Sequence, residues 1–256
     1  MYSLFGAAIV LSVACKKDKD NDGGNGGPDP IGSTKKLVKI EEDADNYSTF
    51  EYNTDGTCKK ITFVSVDDEE ETTSTMSLVY NSNKKIDEAV YGDGSKIKYI
   101  YEGNSVKRSE AFNADNEKQS YTEFTYQGGK LASNTVYTGI EDDNGQITFI
   151  AWMKTEFTYH SNGDVKETTL YMANPMTQQL EKSQVRRYEQ YDSKVNPLSK
   201  LGDFSASFLG EVSSRNPLVE KVYDKNNNLE ETVTNEYTYD SEGYPITCKS
   251  TTTVVG

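Results

Sequence analysis

Histidine and tryptophan each occur once in this chain of 256 residues, and cysteine three times. With so few, no His or Cys pair stands at the spacing a zinc site needs. A Ser/His/Asp arrangement has only His160 to draw on, a residue placed beside a turn, where histidine is usually solvated. No glycine-rich loop opens a helix to cradle phosphate. Positive charge is short as well: 27 Lys and Arg against 41 Asp and Glu leave a net charge of -14. Beyond the opening segment no basic stripe exists to meet nucleic-acid phosphates, and the acidic balance opposes simple adsorption to an anionic membrane. Hydrophobic residues make up only 34% of the chain, below the usual globular share.

Such a composition raises the question of disorder. The aromatic residues answer it. There are 18 Tyr and 9 Phe, and they recur in a pattern and supply area for burial. A sheet with one buried face and one wet face accounts for this balance.

The chain opens with a short apolar run, Leu4 to Val13, too short to span a bilayer. It ends in Leu11-Ser12-Val13-Ala14-Cys15 and turns abruptly to Lys16-Lys17-Asp18-Lys19-Asp20, as a secretory signal does at its cleavage region. The segment resembles the lipobox of bacterial lipoproteins, with Ser12 where such boxes often carry Leu. That resemblance implies a signal peptide over residues 1–14 and a Cys15 that becomes an acylated, palmitate-bearing N-terminus. Each buried methylene then adds about 0.8 kcal/mol of anchoring. Residues 15–36 read as a flexible tether, with Gly23-Gly24-Asn25-Gly26-Gly27-Pro28-Asp29-Pro30 at its centre. Asp18, Asp20, Asp22 and Asp29 have the spacing of a calcium loop, but no flanking helices hold it, and the expectation is a solvated tether without a metal. The Lys/Asp-rich stretch also resembles the export signal that sends Bacteroidota lipoproteins to the outside of the outer membrane.

From residue 37 to 256 the body is a repeat. One phrase returns: an apolar residue, any residue, Tyr, a polar residue, then a turn. It reads Phe50-Glu51-Tyr52-Asn53, Leu78-Val79-Tyr80-Asn81, Tyr99-Ile100-Tyr101-Glu102, Phe124-Thr125-Tyr126-Gln127, Phe157-Thr158-Tyr159-His160 and Tyr237-Thr238-Tyr239-Asp240. Turn pairs such as Asp55-Gly56, Gly128-Gly129, Asn162-Gly163 and Glu242-Gly243 follow, and these tolerate the positive φ of a tight hairpin. The segments between turns alternate as half-buried strands. In the longest, Ile147, Phe149, Ala151, Met153, Phe157 and Tyr159 are expected on one face, with Ile150 and Trp152 breaking the polarity of the other.

The expected fold is therefore all-β: an antiparallel meander of about fifteen strands built from β-hairpin repeats. It is expected to curl into an open or closed barrel-like sheet that is soluble, since the second face carries Thr, Glu and Lys rather than an apolar band. Residues 193–218, bounded by Asn196-Pro197 and Asn216-Pro217, read as a loop insertion with a short helix. The repeated phrase resembles the YD-repeat class of bacterial shell proteins. Joined to the lipobox and to Tyr191-Asp192-Ser193-Lys194-Val195-Asn196-Pro197, it resembles Bacteroidota lipoproteins of unknown function with a porin-like β-repeat fold. The resemblance implies a fold and no catalytic residues.

Few residues are left as site candidates. Trp152 and Ile150 would contact a ligand, a glycan ring or a surface protein, or else pack under a loop. Cys58 and Cys248, near the two ends of the repeat body, would either join as a disulfide in an exported protein or remain buried thiols. The acidic runs Asp67–Glu71 and Glu141–Asp143 would serve a glycoside hydrolase only if held across a bond, and charge runs between strands are usually solvated loops. The reading that results is an outer-membrane lipoprotein, surface-exposed or facing the periplasm, that binds or scaffolds without catalysis. It carries no cofactor, no metal and no nucleic acid, and its membrane contact is the lipid on Cys15. Glycan capture and a structural shell or adhesion role are the alternatives, with hydrolysis last.

Overall fold

The computed structural model describes residues 12–14, 35–43, 45–67, 70–201 and 212–255. Within them sixteen strands form one antiparallel sheet, each paired with its neighbours in chain order. The first half comprises β1 (Ser12–Ala14), β2 (Lys39–Glu41), β3 (Tyr47–Tyr52), β4 (Cys58–Asp67), β5 (Glu70–Tyr80), β6 (Ile86–Tyr91), β7 (Lys96–Glu102) and β8 (Ser105–Phe112). The second comprises β9 (Lys118–Gln127), β10 (Lys130–Glu141), β11 (Ile147–Tyr159), β12 (Val165–Ala173), β13 (Leu180–Tyr191), β14 (Pro217–Asp224), β15 (Leu229–Tyr239) and β16 (Pro245–Val254). From Lys39 onward the strands number fifteen, as the turn spacing predicts. No ladder joins β16 to β1 or β2 among the described residues, so the sheet is open.

A meander places alternate turns at opposite ends. Those after β3, β5, β7, β9, β11 and β15 gather at one end, which also carries the repeated tyrosines; it is called here the tyrosine end. The others gather at the far end. Many turns share one hydrogen-bond pattern. After β3, Gly56 N–H donates to Asn53 O at 3.0 Å and Asn53 N–H donates to Thr57 O at 2.9 Å, with Gly56 at φ 93°. Only glycine adopts that angle freely.

The repeated tyrosine has a structural explanation. Between successive hairpins the backbone ladder stops short of the tyrosine end. β4 and β5 pair outward from Lys60 and Ser77, and a bulge at Lys59 interrupts the returning strand. The hydroxyl of Tyr80 closes the gap by donating to Cys58 O at 2.7 Å. Tyr52 does the same to Leu37 O at 2.7 Å, Tyr101 to Ile86 O at 2.9 Å and Tyr126 to Val106 O at 3.0 Å. Tyr159 reaches Leu131 O at 2.6 Å and Tyr191 reaches Val165 O at 2.7 Å. Each phrase thus ties its hairpin to the one before. At Tyr239 the partner changes to the Asp192 carboxylate, because the insertion between β13 and β14 stands there.

Except at Tyr191, where exposed Glu189 stands, the residues two positions before these tyrosines are apolar or aromatic and face inward. One cluster joins Leu37, Phe50, Ile61, Met76, Tyr99 and Phe157 with Leu198, and Ile61 and Met76 are fully buried. The described residues hold no helical layer beyond a 3-10 turn over Pro197–Leu201. A single sheet then buries one face only by curling onto itself. The curl brings the two ends of the sheet together at Lys35, whose Nζ lies 2.6 Å from Asp240 and 2.9 Å from Glu242.

The insertion covers this end. Leu198 joins the core, and fully buried Asp164 accepts hydrogen bonds from Arg215 Nε at 2.7 Å and Ser214 Oγ at 3.1 Å. Val165 N–H donates to Ser213 Oγ at 2.9 Å. Residues 202–211, part of the segment expected to carry a short helix, lie outside the described residues.

One expectation fails in β11. Val136 pairs with Met153 but Tyr137 pairs with Ala151, so Trp152 is the extra residue of a β-bulge. Paired residues share a face, so Met153 and Phe157 stay on the inner face while Ala151 and Phe149 pass to the outer one. Ile150, opposite Thr138, comes to the inner face. Strict alternation cannot continue through an inserted residue.

Candidate functional site

Three groups of side chains compete for a functional role. The first is on the outer face. Tyr121 stacks on Tyr137 with centroids 4.5 Å apart, Phe149 tilts against Tyr121 at 5.4 Å, and the Arg108 guanidinium lies 4.6 Å over the Tyr121 ring. Arg108 is also paired with Glu123. Gly139 makes room for the row: a Cβ there would meet Ile147 Cγ2 at 2.9 Å and Phe149 Cε1 at 3.3 Å. The grouping of ring, cation and carboxylate recurs at Tyr171, Lys154 and Glu156 and at Tyr223, Arg187 and Glu167. Such cross-strand contacts stabilise the sheet itself, and they occupy the ring faces. This row is structural.

The second group is inside β13–β16. Arg186 meets Glu220 at 2.7 Å, Asn235 Nδ2 donates to Glu220 at 3.2 Å, and Ser250 Oγ donates to Asn235 Oδ1 at 2.5 Å. Burial, with the Glu220 charge nearby, pushes the Tyr188 hydroxyl up to about 12. Each charge here has a partner, as buried charges require. This group too is satisfied from within.

The third group differs. Beyond Phe157 the inner face continues along β10–β12 toward the far end, with Val136, Ile150, Met153, Leu170 and Met172 all only half-buried. Trp152, at the bulge, is 45% exposed. Among the described residues its indole makes no ring, cation or hydrogen-bond contact. At the edge of this wall Asn134 Oδ1 is buried without a hydrogen-bond partner, which is uncommon for a native polar atom. Methionine and tryptophan form adaptable apolar surfaces. This wall is the candidate site.

The other sequence candidates fall elsewhere. His160 Nε2 sits 3.0 Å from Tyr188 O, and its ring is edge-on to Tyr191, a role in holding β13. Cys58 and Cys248 are both free thiols, Cys58 at the start of β4 and Cys248 in β16. Burial pushes the Cys58 thiol up to about 11 and raises that of Cys248. Glu70 and Glu71 are exposed on the turn side of β5, and Glu141–Asp143 are exposed at a separate far-end turn. Asp68 and Glu69 lie outside the described residues, as do Cys15, residues 1–11 and the tether with Asp18, Asp20, Asp22 and Asp29. Ile150 and Trp152 were visible in the sequence as breaks in alternation. Val136, Leu170 and Met172 were not, because their partnership depends on register.

No family model matches the chain, and no curated protein matches it. Solved structures do. A porin-like protein from Bacteroides uniformis overlays with a TM-score of 0.52 at 15% identity, covering 85% of this chain and 87% of that one. The likeness is one of fold. A porin-like protein from Bacteroides vulgatus gives a TM-score of 0.46 at 14% identity, over 74% of this chain and 91% of that one. A DUF3836 family protein from Parabacteroides distasonis gives 0.25 at 13%, over 52% and 87%. The fold assignment rests on the first of these. No helix among the described residues is long and apolar enough to cross a membrane.

Proposed function

We propose that this chain is a non-catalytic, lipid-anchored protein of a bacterial outer membrane, whose curled sheet binds or scaffolds another molecule through the inner wall beside Trp152. One observation carries the reading. The aromatic and charged groups of the outer row and of the inner polar network are taken up by their own neighbours, whereas the wall of Val136, Ile150, Met153, Leu170 and Met172 stays half-exposed next to a contact-free indole. Apolar surface at the mouth of a barrel-like sheet is a common ligand position. Anchoring is supported by the Ala14-Cys15 junction in the sequence; cleavage there would remove β1 and leave the fifteen strands from Lys39 onward as the mature sheet. An envelope setting agrees with the porin-like fold.

Trp152 also favours a second reading, capture of a glycan, since an exposed indole stacks on sugar rings. The paired variants Trp152→Ala and Met172→Ser, made in the full chain, separate the two. Lost retention on a bacterial polysaccharide supports glycan capture. Lost co-purification of a protein partner, with sugars ignored by the parent chain, supports a scaffold. If neither property changes, the wall is not the binding surface. Mass analysis of the N-terminal peptide from cells tests the anchor independently, and an unmodified Cys15 overturns it.

A further inference from the structure

The net charge of -14 hides a polarity that the meander creates. Because alternate turns gather at opposite ends, residues distant in sequence give the two ends different balances of charge, although the tyrosine end also holds Asp55, Glu102, Asp164, Asp192, Asp240 and Glu242. The far end carries Asp43, Asp115, Glu117, Glu141, Asp142 and Asp143 in its turns. The tyrosine end, with its covering insertion, carries Lys36, Lys84, Lys85, Lys130, Lys194 and Lys200.

Several of these lysines are built into the repeat. The Lys36 ammonium lies 4.9 Å over the Tyr52 ring, Lys130 lies 4.7 Å over Tyr159, and Lys194 lies 5.8 Å over Tyr239. In each case the turn glycine after that tyrosine borders the lysine. A Cβ on Gly56 would come within 3.9 Å of Lys36 Nζ, one on Gly163 within 3.2 Å of Lys130 Nζ, and one on Gly243 within 3.5 Å of Lys194 Nζ. Ring and turn therefore fix each ammonium at this end, with Lys36 and Lys194 exposed and Lys130 half-exposed. Acidic groups at this end neutralise some neighbours: Lys84 pairs with Asp55, and Lys35 with Asp240 and Glu242. For Lys36, Lys130, Lys194 and Lys200 no carboxylate lies within ion-pair distance among the described residues. Lys84 and Lys200 also line a cleft of about 420 Å³, together with Tyr52, Tyr80 and Asp55.

We propose that this lysine crown is the face on which the folded domain rests against an anionic lipid surface, its ammonium groups meeting headgroup phosphates. Charge complementarity carries the assignment, and so does connectivity. The chain enters β2 through Lys35, Lys36 and Leu37 at the tyrosine end, so a tether running back from Lys35 toward Cys15 leaves from the lysine side. The acidic far end, with the open wall beside Trp152, then points away from the membrane. This inference rests on the anchored reading for its setting. Its electrostatics do not need the acyl chain.

The test uses the full, unacylated chain and vesicles of phosphatidylcholine with and without 30% phosphatidylglycerol (a composition chosen to give a negative surface of the physiological kind). Binding is expected on the anionic vesicles only, and it should weaken steeply as NaCl rises past about 0.1 M, where the Debye length falls to about 10 Å. The triple variant Lys36→Glu/Lys130→Glu/Lys194→Glu should lose at least about tenfold in vesicle affinity. The far-end variant Lys182→Glu/Lys225→Glu should lose much less per charge reversed. If the triple reversal disturbs folding, the milder Lys36→Gln/Lys130→Gln/Lys194→Gln set and the salt dependence of the parent chain carry the same comparison. Absence of binding to anionic vesicles overturns the proposal, as does equal loss in the two sets of variants. So does saturation of the crown by soluble polyphosphate in a chain that ignores vesicles. None of these outcomes depends on whether Cys15 is acylated, so failure here leaves the anchor standing.

Discussion

The ammonium of Lys35 sits 2.6 Å from the carboxylate of Asp240, 205 positions further along the chain. The contact is the seam of the sheet. Lys35 precedes β2, Asp240 opens the turn between β15 and β16, and the same ammonium lies 5.2 Å over the ring of Tyr244. Leu37 is buried just beside it. No backbone ladder closes the sheet: β1 lies against β16 along its edge, and beside it stand this ion pair, the ring contact and the buried leucine.

The seam makes stability depend on pH in two directions. Burial acts to lower the Lys35 pKa, but hydrogen bonds and charge from Asp240 and Glu242 outweigh it, so the value is raised. For Asp240 burial acts to raise the pKa, and bonds from Lys35 and from the N–H groups of Tyr244 and Glu242 outweigh it, so the value is lowered. The Asp240 contribution is present above its unfolded value of 3.8 and is lost as pH falls through the lower folded value. The Lys35 contribution is present below 10.5 and is lost as pH rises through the higher folded value. Lys35→Met should therefore destabilise the fold by about 1 kcal/mol near neutral pH. Urea titrations at acid pH, with Asp240 protonated, should show the gap close. A gap unchanged at low pH would show that the effect comes from packing and not from charge.

The tyrosine hydroxyls that bridge hairpins should be separable from their rings. Tyr101→Phe and Tyr159→Phe keep the buried area and leave Ile86 O and Leu131 O without their donor. Each is expected to cost about 1 kcal/mol, seen as a lower urea midpoint at unchanged slope. Midpoints equal to that of the parent would mean that the rings alone explain the repeated phrase.

Turn positions give a test with two signs. Lys84 has φ 59° at the position that Gly56, Gly163 and Gly243 fill in other hairpins. Left-handed backbone costs a side chain roughly 1–2 kcal/mol, and the flexibility of glycine returns part of that. Lys84→Gly should stabilise by a few tenths to about 1 kcal/mol, since the exposed pair with Asp55 contributes little. Gly163→Ala should destabilise by about 1–2 kcal/mol, because φ is 101° and Lys130 Nζ stands in the way. Thermal melts that shift in the same direction for both would contradict this account of the turns.

The hairpin rhythm was legible because strand alternation and turn glycines are local properties. Phe50, Leu78, Tyr99, Phe124 and Phe157, which open copies of the repeated phrase, are all buried. Trp152 shows where the pattern ran out. Its bulge appears only when β10 and β11 are laid side by side, so Phe149 read as core and lies in the outer row with Tyr121 instead. The tyrosine bridges were hidden for a related reason. Tyr80 and Cys58 are 22 positions apart, and the phrase showed that a tyrosine recurs without showing what its hydroxyl reaches.

The amino-acid sequence by itself determined the period, the antiparallel meander and the number of strands, since each follows from neighbours in the chain and the backbone angles that turn residues allow. Tertiary structure alone decided that the sheet curls without closing, with Lys35 meeting Asp240 across the seam. It alone decided that the far-end turns are the more acidic and the tyrosine end the richer in lysine. Curvature and polarity arise from contacts between residues far apart in the chain. No window of the sequence contains both partners.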